Sequence, residues 1–386
     1  MNIATLLFTY NRSYHTKVVI NSLKNNKILP QKLFIFQDGL KQGSSQDEWK
    51  KVNNLIHRVD WCETEVIVLH ENKGLSESIV SGINYVFKSY DAIIVLEDDC
   101  VTTSNFISFM NQCLYKYEKD ARIYSISGYS WPIKLKKQQY DVYGCGRISS
   151  WGWGTWKSRW DVYEKNYEIV RKMKQQAETS RNLAIWGSDL EEMLVGNIRG
   201  TCDSWAVFWA LNVIERNGIC INPHYSFIKN IGMDGSGVHC RVADQFDVEY
   251  IDERRKEFCL PDVIDLLDET KKAFLPLYGS YTALNNYVSN RSIVMVYGVG
   301  NFYKKYEKQI NDEYYIEMFI DTVKKGYFEG KRIIEPNEVN CYVFEKIIIM
   351  IQSEIESLRV YEKLVKTYNI PEEKIELGFL KYKFEN

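Results

Sequence analysis

The chain has 386 residues, 45% of them hydrophobic, enough for one large or two ordinary domains with a sizeable core. Lys and Arg number 49 against 51 acidic residues, a net charge of -2, so no broad field draws the protein to nucleic acid and any anionic ligand must be held locally. Nine cysteines lie scattered without a C-x-x-C pair, which excludes a dense disulfide framework and suits a reducing, cytoplasmic setting.

The start of the chain enters a short apolar run with no basic leader, so Ile3-Phe8 reads as a first strand and not a signal. Residues 15 to 26 read as a helix, Lys32-Phe36 as a strand ending at Gln37-Asp38-Gly39, residues 46 to 57 as a helix and Glu65-Leu69 as a third strand. Asn72-Lys73-Gly74-Leu75 opens a helix reaching about Lys88. The continuous apolar run Ala92-Leu96 predicts a strand buried on both faces, stopped by Glu97-Asp98-Asp99. This alternation predicts an α/β fold with a mostly parallel sheet, and it sets three carboxylates at the C-terminal end of a central strand, where such sheets bind ligands. Hard divalent cations need carboxylate oxygens, whereas the bland reading of three acids in a row is a solvated turn.

Beyond residue 120 the pattern mixes strands, glycines and aromatics, including Trp151-Gly152-Trp153-Gly154-Thr155-Trp156, with helices near 160 to 177 and 203 to 217. Residues 251-290 read as a linker with some helix, separating a domain over residues 1-250 from a small α/β unit over residues 291-386. That unit holds the strands Ile293-Tyr297, Tyr315-Ile320 and Lys346-Met350, with Gly298-Val299-Gly300 after the first and Asp321 after the second. These are pieces of a dinucleotide fingerprint, although a complete one needs glycine where this chain has Tyr303. No stretch approaches the roughly 18 uncharged apolar residues of a membrane span.

The ordered segments Thr9-Tyr10-Asn11-Arg12, Gln37-Asp38-Gly39, Asn72-Lys73-Gly74-Leu75-Ser76 and Leu96-Glu97-Asp98-Asp99-Cys100 resemble GT-A glycosyltransferases, in particular bacterial family-two and N-acetylglucosaminyltransferase-I-like enzymes. Ile148-Trp156, Asp203-Ser204-Trp205-Ala206 and Asn230-Cys240 continue the likeness, which covers roughly residues 1 to 245. The resemblance implies a GT-A-type nucleotide-binding sheet followed by a Rossmann-like accessory domain. It also implies transfer with inversion from a nucleotide-sugar donor, a UDP-sugar above all, to a hydroxyl of a bacterial glycan, glycolipid or glycoprotein, with Mn2+ or Mg2+ as cofactor. By position, it sets Thr9, Arg12, Asp38, Lys73 and Gly74 around the nucleoside, Asp38 accepting from the base, Glu97 on the donor sugar, Asp98 on the ribose and Asp99 on the metal.

His239, in a glycine-rich segment able to fold over a ligand, is the second expected metal ligand. Asp203 is the expected base that takes the acceptor proton, with helix capping as its bland alternative and Ala206 standing where some of the resembling enzymes carry a second acid. Trp151 and Trp153 are expected to stack on acceptor sugar, with core packing the equal alternative. The sequence therefore predicts a cytoplasmic enzyme, peripheral at the inner face of the membrane where its acceptor sits and able to form homo-oligomers. Two rival readings are a nucleotide-sugar-binding protein without transfer activity and an NAD-dependent oxidoreductase centred on Gly298-Gly300.

Overall fold

The computed structural model describes residues 1–135, 140–234, 248–278, 292–329, 331–341 and 344–382. The chain divides into two compact units, Met1–Tyr167 with Glu192–Tyr278, and Glu168–Glu191 with Gly279–Asn386. Residues 252 to 278 thus belong to the first unit, and the helices α6 (Ile169–Gln175) and α7 (Ala177–Trp186) to the second.

The first unit is mixed α/β. Strands β1 (Ile3–Thr9), β2 (Leu33–Gln37), β3 (Thr64–Val68) and β4 (Ala92–Glu97) alternate with helices α1 (Ser13–Lys24), α2 (Gln46–Ile56) and α3 (Leu75–Val86). The four strands are parallel, in the order β3-β2-β1-β4, with Thr9 opposite Gln37 and Phe8 opposite Glu97. Their C-terminal ends therefore open on one edge. Helix α2 starts where Ser45 accepts a hydrogen bond from the Glu48 amide at 3.3 Å, closing one of the amides that a helix start leaves unpaired. Strand β4 is buried from Ala92 through Leu96, and each such Ile, Val or Leu contributes about 1.5–3 kcal/mol when withdrawn from water.

After β4 come β5 (Cys100–Thr102), α4 (Phe106–Tyr117), β6 (Ile123–Ser127), β7 (Val142–Cys145), β8 (Trp153–Trp156) and α5 (Lys157–Trp160). Then follow α8 (Leu190–Ile198), α9 (Trp205–Glu215), β9 (Ile219–Pro223), β10 (Ile228–Asn230) and α10 (Asp268–Tyr278). The sheet grows to eight strands, β3-β2-β1-β4-β8-β6-β9-β7, and β8 runs antiparallel to both neighbours. A separate ribbon pairs β5 with β10, Asn230 opposite Cys100. It brings a segment 130 residues downstream against the acidic turn.

The floor beneath this half is aromatic. Trp153 is fully buried, stacked on Trp205 at 5.1 Å and packed near Trp160 at 5.9 Å and Trp209 at 6.3 Å.

The second unit contains a six-stranded sheet ordered β13-β14-β12-β11-β15-β16. Its strands are β11 (Ser292–Tyr297), β12 (Tyr314–Ile320), β13 (Gly326–Phe328), β14 (Lys331–Ile334), β15 (Lys346–Ile349) and β16 (Ile375–Leu377), joined by α11 (Asn301–Glu313), α12 (Glu354–Lys366) and α13 (Gly378–Tyr382). All pairings except the β13/β14 hairpin are parallel, and the sheet spreads to both sides of β11, as doubly wound sheets do.

Candidate active site

The acidic turn sits where the sheet geometry predicts. Asp98 and Asp99 are 5% and 7% exposed, held between the end of β4 and the start of β5. Arg12, just past the end of β1, reaches across to them: its Nη2 donates to Asp98 Oδ1 and, at 2.9 Å, to Asp99 Oδ2. Two carboxylate oxygens thus converge on one cationic nitrogen. Burial weakens the charged form of Arg12, yet its two carboxylate partners more than offset this and raise its pKa. Glu97 is pushed up to about 8 by burial and by repulsion from Asp99 and Asp98, against the pull of Arg12. Asp98 is raised too, chiefly by burial, with Arg12 opposing.

The β5/β10 ribbon supplies the roof. Asn230 Nδ2 approaches Asp99 Oδ1 at 3.4 Å, the Ile231 amide donates to the Asp99 carbonyl at 2.9 Å, and the Gly232 amide donates to Asn230 Oδ1 at 2.8 Å. A Cβ on Gly232 would lie 2.3 Å from Asp99 Oδ2, so only glycine lets this backbone pass over the carboxylate. Asp234 then meets His15 of α1, Oδ2 to Nε2 at 3.1 Å. His15 is 8% exposed and was not singled out from the sequence, although it stands in the first turn of α1, three residues after Arg12.

A second knot joins two of the motif segments. Asp38 Oδ1 accepts from the amides of Gly39 and Lys73, each at 2.9 Å, and Oδ2 accepts from Asn72 Nδ2 at 2.9 Å and the Gly74 amide at 3.0 Å. A carboxylate offers about four acceptor positions, and four donors of the protein take them. Asp38 therefore ties the loop together in this structure, and the expected contact with a nucleobase stays a proposal. Thr9 is similarly engaged, its hydroxyl donating to the Phe36 carbonyl at 2.9 Å, so it braces β1 against β2. The Lys73 side chain is exposed beside this loop.

Asp203 comes to the same loop from the far half of the sequence. Its Oδ2 accepts from the Ser76 amide at 3.1 Å, at the N-terminus of α3 and next to Gly74. Ser204, not Asp203, caps α9, accepting from the Val207 amide at 3.4 Å. Oδ1 of Asp203 has no hydrogen-bond partner among the described residues.

The two tryptophans part company. Trp153 belongs to the buried indole cluster, in keeping with the core-packing alternative that the sequence left equal. Trp151 is half-buried, edge-on to Tyr129 at 4.6 Å. Since β8 runs antiparallel to β4 with Val95 opposite Trp153, the residues before Trp153 run toward the Glu97 edge. His239 lies outside the described residues.

In the second unit, Asp321 Oδ2 accepts from the Val299 amide at 3.4 Å, and Oδ1 accepts from the amides of Val323 at 2.9 Å and Lys324 at 3.0 Å. Lys324 Nζ donates to the Val299 carbonyl at 2.9 Å. Tyr303 is fully buried, its hydroxyl donating to Glu329 Oε2 at 2.9 Å.

Residues 290–376 match the sequence profile of the family described as C2185-like, N-terminal. No curated protein matches the chain in sequence. Among solved structures, the mannosyltransferase PcManGT from Pyrobaculum calidifontis, in complex with GDP-Man and Mn2+, aligns at 9% identity over 56% of this chain and 69% of its own, with a TM-score of 0.33. TarS 1-349 of S. aureus in complex with UDP-GlcNAc aligns at 9% identity over 59% of this chain and 58% of its own, with a TM-score of 0.35. The chain spans less than two thirds of that TarS structure.

Proposed function

We propose that the protein is a glycosyltransferase that moves a sugar from a nucleotide diphosphate, a UDP-sugar, to an acceptor hydroxyl of a bacterial surface glycan or glycoconjugate. The observation that carries this reading is the convergence of Asp98 Oδ1 and Asp99 Oδ2 on one cation at the C-terminal edge of a central parallel strand. Lys73, Glu97, Trp151 and Asp203 stand on elements that end at the same edge or pack on its loops. The sequence resemblance to GT-A enzymes supports the same reading.

A divalent cation fits the acidic pair, because the oxygens facing the site already hold a positive group and are the hard donors that Mn2+ and Mg2+ require. Asp99, with Asp98 beside it, would hold the ion. When bound, it would neutralise charge building on the departing diphosphate. Among the described residues no three or more His, Cys, Asp or Glu side chains are grouped to enclose an ion; in this reading His239, outside the described residues, would join the carboxylates and the diphosphate would supply the remaining ligands.

The chain's own groups divide the remaining work. The exposed Lys73 ammonium would meet phosphate oxygens of the donor, and Asp38 holds the Lys73-Gly74 backbone beside it. Glu97, at the end of β4 beside the acidic pair, would hydrogen-bond a hydroxyl of the donor sugar. Asp203 anchors to α3 through Oδ2 and keeps Oδ1 to accept the acceptor proton. Trp151 can pack on the acceptor ring. Inversion follows from one displacement assisted by one base.

The test is a panel of UDP, GDP, CMP and dTDP sugars with and without Mn2+, read first by thermal shift and then by product formation. Donor binding raises the melting temperature by mass action. A donor that stabilises the protein without ever being consumed, with glycan acceptors present, would leave a nucleotide-sugar-binding protein in place of a transferase.

A further inference from the structure

Arg12 does two things at once. Its Nη2 bridges Asp98 and Asp99, and its Nη1 is buried with no hydrogen-bond partner among the described residues. A guanidinium carries five donors in a rigid fork matched to phosphate oxygens, and a buried N–H without an acceptor is unfavourable. The arrangement is therefore satisfied on its carboxylate side and open on the other. A dication approaching Asp98 and Asp99 meets a fixed positive charge already in contact with both oxygens, and it must displace that charge before it can bind.

We infer that Arg12 is the resident counterion of the acidic pair and the link between its two ligands: it opposes binding of a bare divalent cation, and leaves Asp98 and Asp99 when a nucleoside diphosphate offers its guanidinium other oxygens. This rests on the glycosyl-transfer reading above. Cation and nucleotide then strengthen one another's binding, reciprocally, through one side chain. The neighbours support an unaided swing. Asp99 stays fixed by the Ile231 amide on its carbonyl and by Asn230, and His15 pairs with Asp234, so the roof over the acids does not depend on the guanidinium.

The experiment measures Mn2+ binding to the full chain by electron paramagnetic resonance, with Mn2+ alone and with Mn2+ plus UDP, for the wild type, Arg12→Gln and Arg12→Lys. Arg12→Gln should bind bare Mn2+ about tenfold more tightly than the wild type, and UDP should then tighten Mn2+ binding by correspondingly less. Arg12→Lys, which keeps the charge, should stay close to the wild type in bare Mn2+ affinity. Equal or weaker bare Mn2+ binding by Arg12→Gln overturns the inference. If Arg12→Gln is unfolded in chelator, Mn2+ should restore its folded circular dichroism, because the ion replaces the lost charge, and failure to restore it also overturns the inference. Should Mn2+ and UDP bind together with constants that Arg12→Gln does not change, only this inference falls. If neither binds to any of the three proteins, the glycosyltransferase reading falls with it.

Discussion

The two units each end a parallel strand in an acidic residue beside a turn, and they use it in opposite ways. At the β4 edge, Asp98 and Asp99 aim their oxygens at a shared cation, while backbone donors from Ile231 and Gly232 shape the wall around them. At the β12 edge, the Asp321 carboxylate is taken up by three backbone amides, and Lys324 closes the same turn by donating to Val299. The contrast teaches that an acid at a strand end signals a site only when its oxygens are left facing a common point. Where they bond their own turn, the acid is a brace.

The largest expected effect tests the floor on which the first edge stands. Trp153→Ala removes the centre of the indole cluster and should destabilise the first unit by about 3–5 kcal/mol, read as a fall in its denaturant midpoint. Trp151→Ala should barely move that midpoint and should instead raise the KM for the acceptor. A large stability loss from Trp151→Ala would erase the distinction drawn between the two indoles.

Next comes the chemistry of the edge itself. Asp99→Asn should lower kcat/KM for transfer by about 100-fold or more with the fold retained, since a neutral amide holds a divalent cation and Arg12 much more weakly than a carboxylate. Retention of full metal-dependent transfer by this variant would remove the acidic edge from the mechanism. Asp321→Ala should do the reverse, costing about 1–3 kcal/mol of stability in the second unit while leaving transfer intact.

A smaller effect concerns Gly39. A Cβ there would sit 2.2 Å from the Glu71 carbonyl carbon, so Gly39→Ala must push the Asn72-Gly74 turn away from Asp38. The expected readout is weaker nucleotide binding, by roughly tenfold, with modest loss of stability. Unchanged nucleotide affinity would separate this loop from the donor site.

The smallest is a pH dependence outside both edges. His224, next to β9, has a buried Nε2 without a hydrogen-bond partner among the described residues, and burial lowers its pKa against the opposing pull of Asp141 and Glu269. The folded protein therefore resists protonation that the unfolded chain accepts near pH 6.5. The associated stability is present above that pH and is lost as pH falls through the folded value. The melting temperature should drop as pH falls below about 6.5, and His224→Gln should flatten that drop.

Much of the first unit was legible in the residues. The run Ala92-Leu96 announces a strand buried on both faces, and the strands before it read correctly to within a residue or two because period and turn residues agree. The gathering of the Thr9, Asp38, Gly74 and Glu97 motifs on one edge follows from four parallel strands in register. Other parts were not legible. Gly152 takes a φ of 60°, which breaks the strand alternation and separates the fates of Trp151 and Trp153. His15 gave no periodic or motif signal of its own, and its partner lies more than two hundred residues away in sequence.

Local chemistry along the chain settled which segments become strands and where the acids fall, because hydrophobic period and turn preference act over a few residues. Which carboxylates converge on a shared cation and which only hold a turn was decided by folding alone. Hydrogen-bond donors supplied by distant segments, Arg12 and Asn230 to Asp99 and Asn72 to Asp38, fill or spare each lone pair. A carboxylate's chemistry is set by what fills its few acceptor positions, and those partners meet it only in the folded chain.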